Sequence, residues 1–110
     1  MSQSFAQMLD RVRAFHEKHD FAGNNGHDMA YRLLLTMEEV GELAECITKG
    51  KPQADRAEEL ADLLILTFGH AIAMDVDLEA AFDAKLAEVM ERPAIRGDLG
   101  VRVTRYEPPA

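Results

Sequence analysis

The stretch Thr36-Met-Glu-Glu-Val-Gly-Glu-Leu-Ala-Glu45 and its echo Ala57-Glu-Glu-Leu-Ala-Asp-Leu-Leu64 decide how this chain folds. The first holds Glu39 and Glu42 at i, i+3, and the second holds Glu59 and Asp62 at the same spacing. Residues three apart on an α-helix are surface neighbours, with Cβ atoms about 5–6 Å apart. Each pair therefore aims two carboxylates at one spot, and both pairs lie inside apolar helical patterns. Packing the two helices together brings four carboxylates to one place, where cations are needed to neutralise them. The expectation is a Mg²⁺ site on facing helices of a bundle, because Mg²⁺ takes oxygen ligands shared among carboxylates, waters and substrate phosphates.

Outward from these motifs the periodicity stays helical. Asp28 is placed to cap the helix that carries the first motif, which runs to about Lys49 and stops at Gly50. On that helix Leu33, Thr36, Met37, Val40, Leu43, Ala44 and Ile47 form one broad arc, expected to be core. Glu39 and Glu42 lie on its flank, and Glu38 and Glu45 lie roughly opposite it. The second motif opens a helix over about 53–74 that is apolar nearly all round, hence central or packed in an oligomer. Asp62 is the anomaly in it, since a buried carboxylate must shift its pKa or find a partner. Gly69 in the same helix costs about 1 kcal/mol relative to Ala and so marks a close approach.

Before them, Ser4 is placed to cap a helix running to about His19, with a stripe of Phe5, Met8, Leu9, Val12 and Phe15. Residues 20–27, rich in Gly and Asn, form a loop longer than a tight connection needs, a candidate binding loop. After them, Asp77 caps a fourth helix over about 78–91 that Pro93 ends. Val101-Arg-Val-Thr-Arg-Tyr106 alternates like a short strand, with no second strand expected in the chain to pair with. The expected organisation is all-α: a four-helix, bundle-like domain over 1–93 with an extended tail over 94–110.

Composition narrows the function classes. The 110 residues carry a formal net charge of −8, which argues against a nucleic-acid or anionic-membrane binder. With one cysteine, Cys46, no internal disulfide forms. The N-terminus lacks the charged-then-apolar pattern of a signal peptide, and no apolar run approaches a membrane span. A cytoplasmic location is expected. Zinc and EF-hand calcium spacings are absent.

Glu39-Val-Gly-Glu-Leu-Ala-Glu45 followed by Glu58-Glu-Leu-Ala-Asp-Leu-Leu64 resembles the signature of the all-α MazG-like nucleotide pyrophosphohydrolases, Glu-x-x-Glu, a spacer, then Glu-x-x-Asp. The resemblance covers about residues 5–92. It implies an enzyme that uses Mg²⁺, with Mn²⁺ as a substitute, to hydrolyse a nucleoside triphosphate to the monophosphate and pyrophosphate. It further implies a homodimer or homotetramer, with Glu39, Glu42, Glu59 and Asp62 as metal ligands. Glu38, beside them, is a candidate for positioning or deprotonating the attacking water. Lys85 and Arg92 match the family's Lys-x-x-x-Asn-x-x-Arg phosphate contacts, although Val89 stands where the family carries Asn. His16 and Phe21 are candidates for a base pocket. His70 reads as a satisfied core residue and Cys46 as packing. Two alternatives share the pattern: a phosphoribosyl-ATP pyrophosphohydrolase-like enzyme, and a non-catalytic helical oligomerisation module.

Overall fold

Ser4 starts the first helix, α1 (Phe5–Lys18), through a reciprocal capping box: its side chain accepts from Gln7 N, and the Gln7 side chain accepts from Ser4 N. In the computed structural model, which describes residues 2–105 with Glu107 and Pro109, α1 ends at His19. A 3₁₀ turn, Ala22–Asn24, then interrupts the loop that follows. Asp28 caps α2 (Met29–Thr48) by accepting from Tyr31 N at 2.8 Å. Gly50, at φ 62°, adopts the left-handed conformation that releases the chain after α2. Pro52 precedes α3 (Gln53–Met74), so α2 and α3 are joined by a connection of a few residues and pack side by side.

The chain divides into two compact units, one up to Val76 and one from Asp77 onward. In the first unit α3 is central, packing against both α2 and α1. Phe68, Gly69 and Ala71 are its buried residues, and Phe5 of α1 stacks at a tilt on Phe68 with ring centroids 5.0 Å apart.

The face of α2 that meets α3 differs from the expected one. Its buried and half-buried residues include Arg32, Leu35, Thr36, Glu39, Leu43 and Cys46. That face is rotated by about a quarter-turn from the expected arc, at 3.6 residues per turn. Leu33, Met37, Val40 and Ile47, expected as core, are exposed in the single chain, Met37 at 69%. On this face Arg32 finds acceptors on α3 while Leu35, Leu43 and Cys46 are covered, and the apolar arc is left outward. Leu60 and Leu64 of α3 are likewise exposed.

The second unit holds α4 (Leu78–Met90), capped by Asp77, and a β-hairpin. The hairpin corrects the expected lone strand. β1 (Ala94–Gly97) pairs antiparallel with β2 (Gly100–Val103), in a register that sets Ala94 opposite Val103 and Gly97 opposite Gly100. The two-residue connection Asp98-Leu99 works because Gly100 takes φ 142°, open to glycine and strained for other residues. Tyr106, the last residue of the expected strand, lies outside the described residues. Among those residues the protein is therefore mostly helical, with four helices and one strand pair. None of the helices is long and apolar enough to cross a membrane.

Candidate metal centre

Glu39 and Glu42 come from adjacent turns of α2, and Glu59 comes from the facing turn of α3. One carboxylate oxygen from each lies within 4.8 Å of the other two. Glu39 and Glu59 are half-buried, while Glu42 sits at the exposed rim. Glu39 Oε2 and Glu59 Oε2 are buried with no hydrogen-bond partner among the described residues. Burial, then the neighbouring carboxyl groups of Glu59 and Glu42, then the charges of Glu42 and Asp62, push the Glu39 pKa up to about 7. Glu59 is raised as well, chiefly by burial. Buried polar groups are normally satisfied, and anions this close repel. An oxygen-rich, negative, unsatisfied cluster of this kind has the donor chemistry for a hard divalent cation.

Asp62 stands one turn beyond Glu59 on α3. It is not among the three converging carboxylates, yet it is close enough for its charge to raise both Glu39 and Glu59. Half-buried, it also lines a cavity of about 590 Å³ between α1 and α3, whose walls include Phe15, Phe68, Leu64 and Ile65 with Gln3 and Arg11 at the polar edge. Glu38 is exposed, and its place on the helical wheel is off the α3-facing side.

Residues 29–94 match the MazG nucleotide pyrophosphohydrolase domain, a stretch that spans the carboxylates of both helices. The chain belongs to the MazG nucleotide pyrophosphohydrolase family. It is an enzyme of that class. In structure the chain is similar to the cyanophage S-2L MazG-like pyrophosphohydrolase, solved bound to dGDP and three catalytic Mn²⁺ ions per active site. The TM-score is 0.69 at 27% identity, covering 94% of this chain and 99% of that one. No curated protein matches the chain in sequence.

The other expected site residues of this MazG protein are placed as follows. In the second unit Glu88 gathers the cations: it accepts from Arg92 at 2.6 Å and from Arg105, with Lys85 Nζ 3.7 Å away. Arg105 was invisible in the sequence because the tail that carries it showed no partner strand. His16 and Phe21 do lie together, ring centroids 4.4 Å apart, on the wall of a cavity of about 280 Å³ that Arg13, Asp20 and His27 also line. His16, however, is only 4% exposed, and its Nδ1 is 3.1 Å from His27 Nε2. Burial, then the charge of Arg32, holds its pKa down to about 4, so it is neutral and already engaged.

Arg32 is the residue the sequence reading passed over. It is 2% exposed, and its three bonds reach two segments, α3 and the loop before α2: Nε to His70 Nδ1 at 3.0 Å, Nη2 to Leu66 O at 3.1 Å, and Nη1 to Gly26 O at 2.9 Å. Thr36 Oγ1 donates to Arg32 O, so His70 Nε2–H donates to Thr36 Oγ1 at 2.8 Å, which fixes the neutral tautomer. The signal was present: Arg32, Thr36 and Glu39 are spaced i, i+4, i+7, a polar stripe on one helical face. Gly69 explains itself here. A Cβ there would lie on top of Arg32 Nη2 and 2.9 Å from both Arg32 Cζ and His16 Cε1.

Proposed function

We propose that this MazG-family enzyme hydrolyses a nucleoside or deoxynucleoside triphosphate to the monophosphate and pyrophosphate, using Mg²⁺ or Mn²⁺ held by Glu39, Glu42, Glu59 and Asp62. The observation that carries the reading is the three-carboxylate cluster with its two orphaned buried oxygens. Similarity to an enzyme solved with dGDP and Mn²⁺ supports the nucleotide and the ion. When bound, a divalent cation draws charge off the phosphates and makes water a better nucleophile toward phosphorus.

The chain's own residues supply the rest. Glu39 and Glu59 face each other across the two helices and fix the width of the site, while Glu42, at the exposed rim, would hold a cation on the side open to incoming phosphates. Asp62 links this site to the 590 Å³ cavity, whose apolar walls suit a nucleoside. The base is therefore assigned there rather than to His16 and Phe21, since His16 is buried and bonded to His27. Lys85 and Arg92, held by Glu88, are the candidate phosphate contacts. The exposed apolar arcs of α2 and α3 support self-association into a homodimer or homotetramer.

The test is a screen of canonical and modified triphosphates with product analysis, with and without Mg²⁺ or Mn²⁺. Metal-dependent release of pyrophosphate and a monophosphate is expected from the parent chain and not from Glu42→Gln. Release that persists in chelator, or that Glu42→Gln lowers by less than about tenfold, refutes the assignment.

A further inference from the structure

We infer that Arg32 is a positioning residue that couples the loop between α1 and α2 to the carboxylate centre, so that closure of the loop and occupancy of the metal site favour each other. This rests on the metal-site reading above. Arg32 and the carboxylates share one interface. Along α2 the α3-facing residues run Arg32, Thr36, Glu39, and along α3 they run Glu59, Asp62, Leu66, Gly69, His70. Arg32 pins the two helices at the far end of that row. One arm of its guanidinium holds a backbone carbonyl of α3, its Nε holds His70, and the other arm holds Gly26 O at the end of the loop.

The loop has no other fastening of this depth. Gly26 N bonds within the loop to Phe21 O at 2.7 Å, and Asn24 Nδ2 bonds to Asp20 O at 2.8 Å. Both bonds are local. Contacts that cross to other elements are the Phe21 ring against Phe15 and His16 of α1, Phe21 N to His16 O, the His27–His16 pair and the Arg32–Gly26 bond. Of these, only the Arg32 side chain is hydrogen-bonded both to the loop and to α3. A planar fork with fixed donor directions can set the position of three acceptors at once, which an ammonium on a flexible stem cannot. Gly69 leaves the required space by lacking a Cβ.

The effect travels by position rather than by charge. Arg32 is not among the groups that shift Glu39 or Glu59, whose pKa values respond to burial and to the other carboxyl groups. What Arg32 fixes is the register in which α2 presents Glu39 to Glu59. Coupling of this type is reciprocal: if loop closure tightens the metal site, filling the metal site protects the loop.

The experiment uses the full chain and Mn²⁺ alone as probe, with affinity read by electron paramagnetic resonance and loop closure by hydrogen exchange at residues 21–28. In the parent chain Mn²⁺ is expected to slow exchange in the loop. Arg32→Lys is expected to weaken Mn²⁺ binding by about tenfold, the low end for groups that orient ligands without touching the ion. It is also expected to erase the Mn²⁺ effect on the loop, and to recover most of kcat at saturating Mn²⁺. A residue serving stability alone would lower the melting temperature and leave Mn²⁺ affinity, measured well below it, unchanged. Should Arg32→Lys fail to fold, His70→Ala removes one of the three partners while sparing the Gly26 and Leu66 bonds, and a weaker loss of affinity is expected. Parent-like Mn²⁺ affinity in either folded variant overturns the role of Arg32 and leaves the metal site standing. Absence of Mn²⁺ binding by the parent chain overturns both.

Discussion

Two buried charged groups share the interface between α2 and α3, and they are built to opposite ends. Around Arg32 each nitrogen of the guanidinium finds an acceptor, and both nitrogens of His70 are bonded. Around Glu39 and Glu59 two carboxylate oxygens find none among the described residues, and the neighbours are further acids. A satisfied buried ion is a structural clamp; a cluster of unsatisfied anions is a receptor. The same pair of helices thus supplies its own counterparts at one end and leaves them to be brought from outside at the other. The difference predicts that substitutions at the clamp register in stability and metal affinity, and those at the receptor chiefly in the chemical step.

The largest effect is expected at the receptor. Glu42→Gln and Asp62→Asn should each lower kcat/KM by about 10³, the scale of losing one charged group that stabilises a transition state. Far-UV circular dichroism should be unchanged. A loss of less than tenfold would mean that the carboxylate in question holds no ion. Asp62 is the more searching case, because it stands outside the three-oxygen convergence.

Next in size is the acid response of His16, which packs beside the clamp. His16 is held down to about 4, against an ordinary value near 6.5. Between these values the unfolded chain binds a proton at His16 and the folded chain does not, so stability falls as pH drops from about 6.5 to 4. Over the whole window the loss is about 3 kcal/mol. Glu39 acts in the opposite sense: its folded pKa, about 7, lies above the unfolded one, so its contribution is largest in acid and lost as pH rises through 7. They are separated by urea denaturation in the metal-free Glu39→Gln variant, which removes the main rival. Glu59, also raised, still opposes the His16 slope there, and His70, lowered by burial, adds to it. Adding His16→Gln to that variant should reduce the fall between pH 6.5 and 4, and an unchanged slope would mean His16 is not shielded from protons as its burial implies.

Gly69→Ala should cost about 1–3 kcal/mol, because the added methyl meets the Arg32 guanidinium and the His16 ring in a packed site. The denaturant midpoint measures it. Gly41→Ala on α2 is the comparison, since nothing lies within 4 Å of a Cβ there, and it should be neutral or stabilising.

These contrasts also explain what could be read from the residues alone. The caps were legible because each is a local bond: Ser4, Asp28 and Asp77 all accept where their positions require. The i, i+3 carboxylate pairs were legible because helical spacing fixes which side chains share a face. The orientation of α2 was not, since an apolar arc reads as core whether it covers the chain's own interior or is left exposed, as Leu33 and Met37 are. Arg32 was missed because a charged residue beside three leucines is ordinarily solvent-facing, and its partners lie 34 and 38 residues away at Leu66 and His70. The hairpin was missed because Ala94-Ile-Arg-Gly97 is too short to alternate visibly, and its pairing depends on the conformation of Gly100.

The smallest and most selective contrast lies between two adjacent glutamates. Glu39 points into the receptor and Glu38, one residue earlier, is exposed on the side of α2 turned from α3. In the metal-free protein at pH 8, above the pKa of Glu39, Glu39→Gln removes one of several crowded negative charges. It should raise the melting temperature by about 2–5 °C, less than 1 kcal/mol for a domain of this size. Glu38→Gln relieves no such crowding and should leave that temperature within about 1 °C, while keeping kcat within about tenfold of the parent. A sharp fall of kcat in Glu38→Gln with Mn²⁺ affinity unchanged would return the water-activating role to Glu38. A melting temperature that falls in metal-free Glu39→Gln would show that the acidic cluster is internally satisfied, and the contrast between clamp and receptor would dissolve.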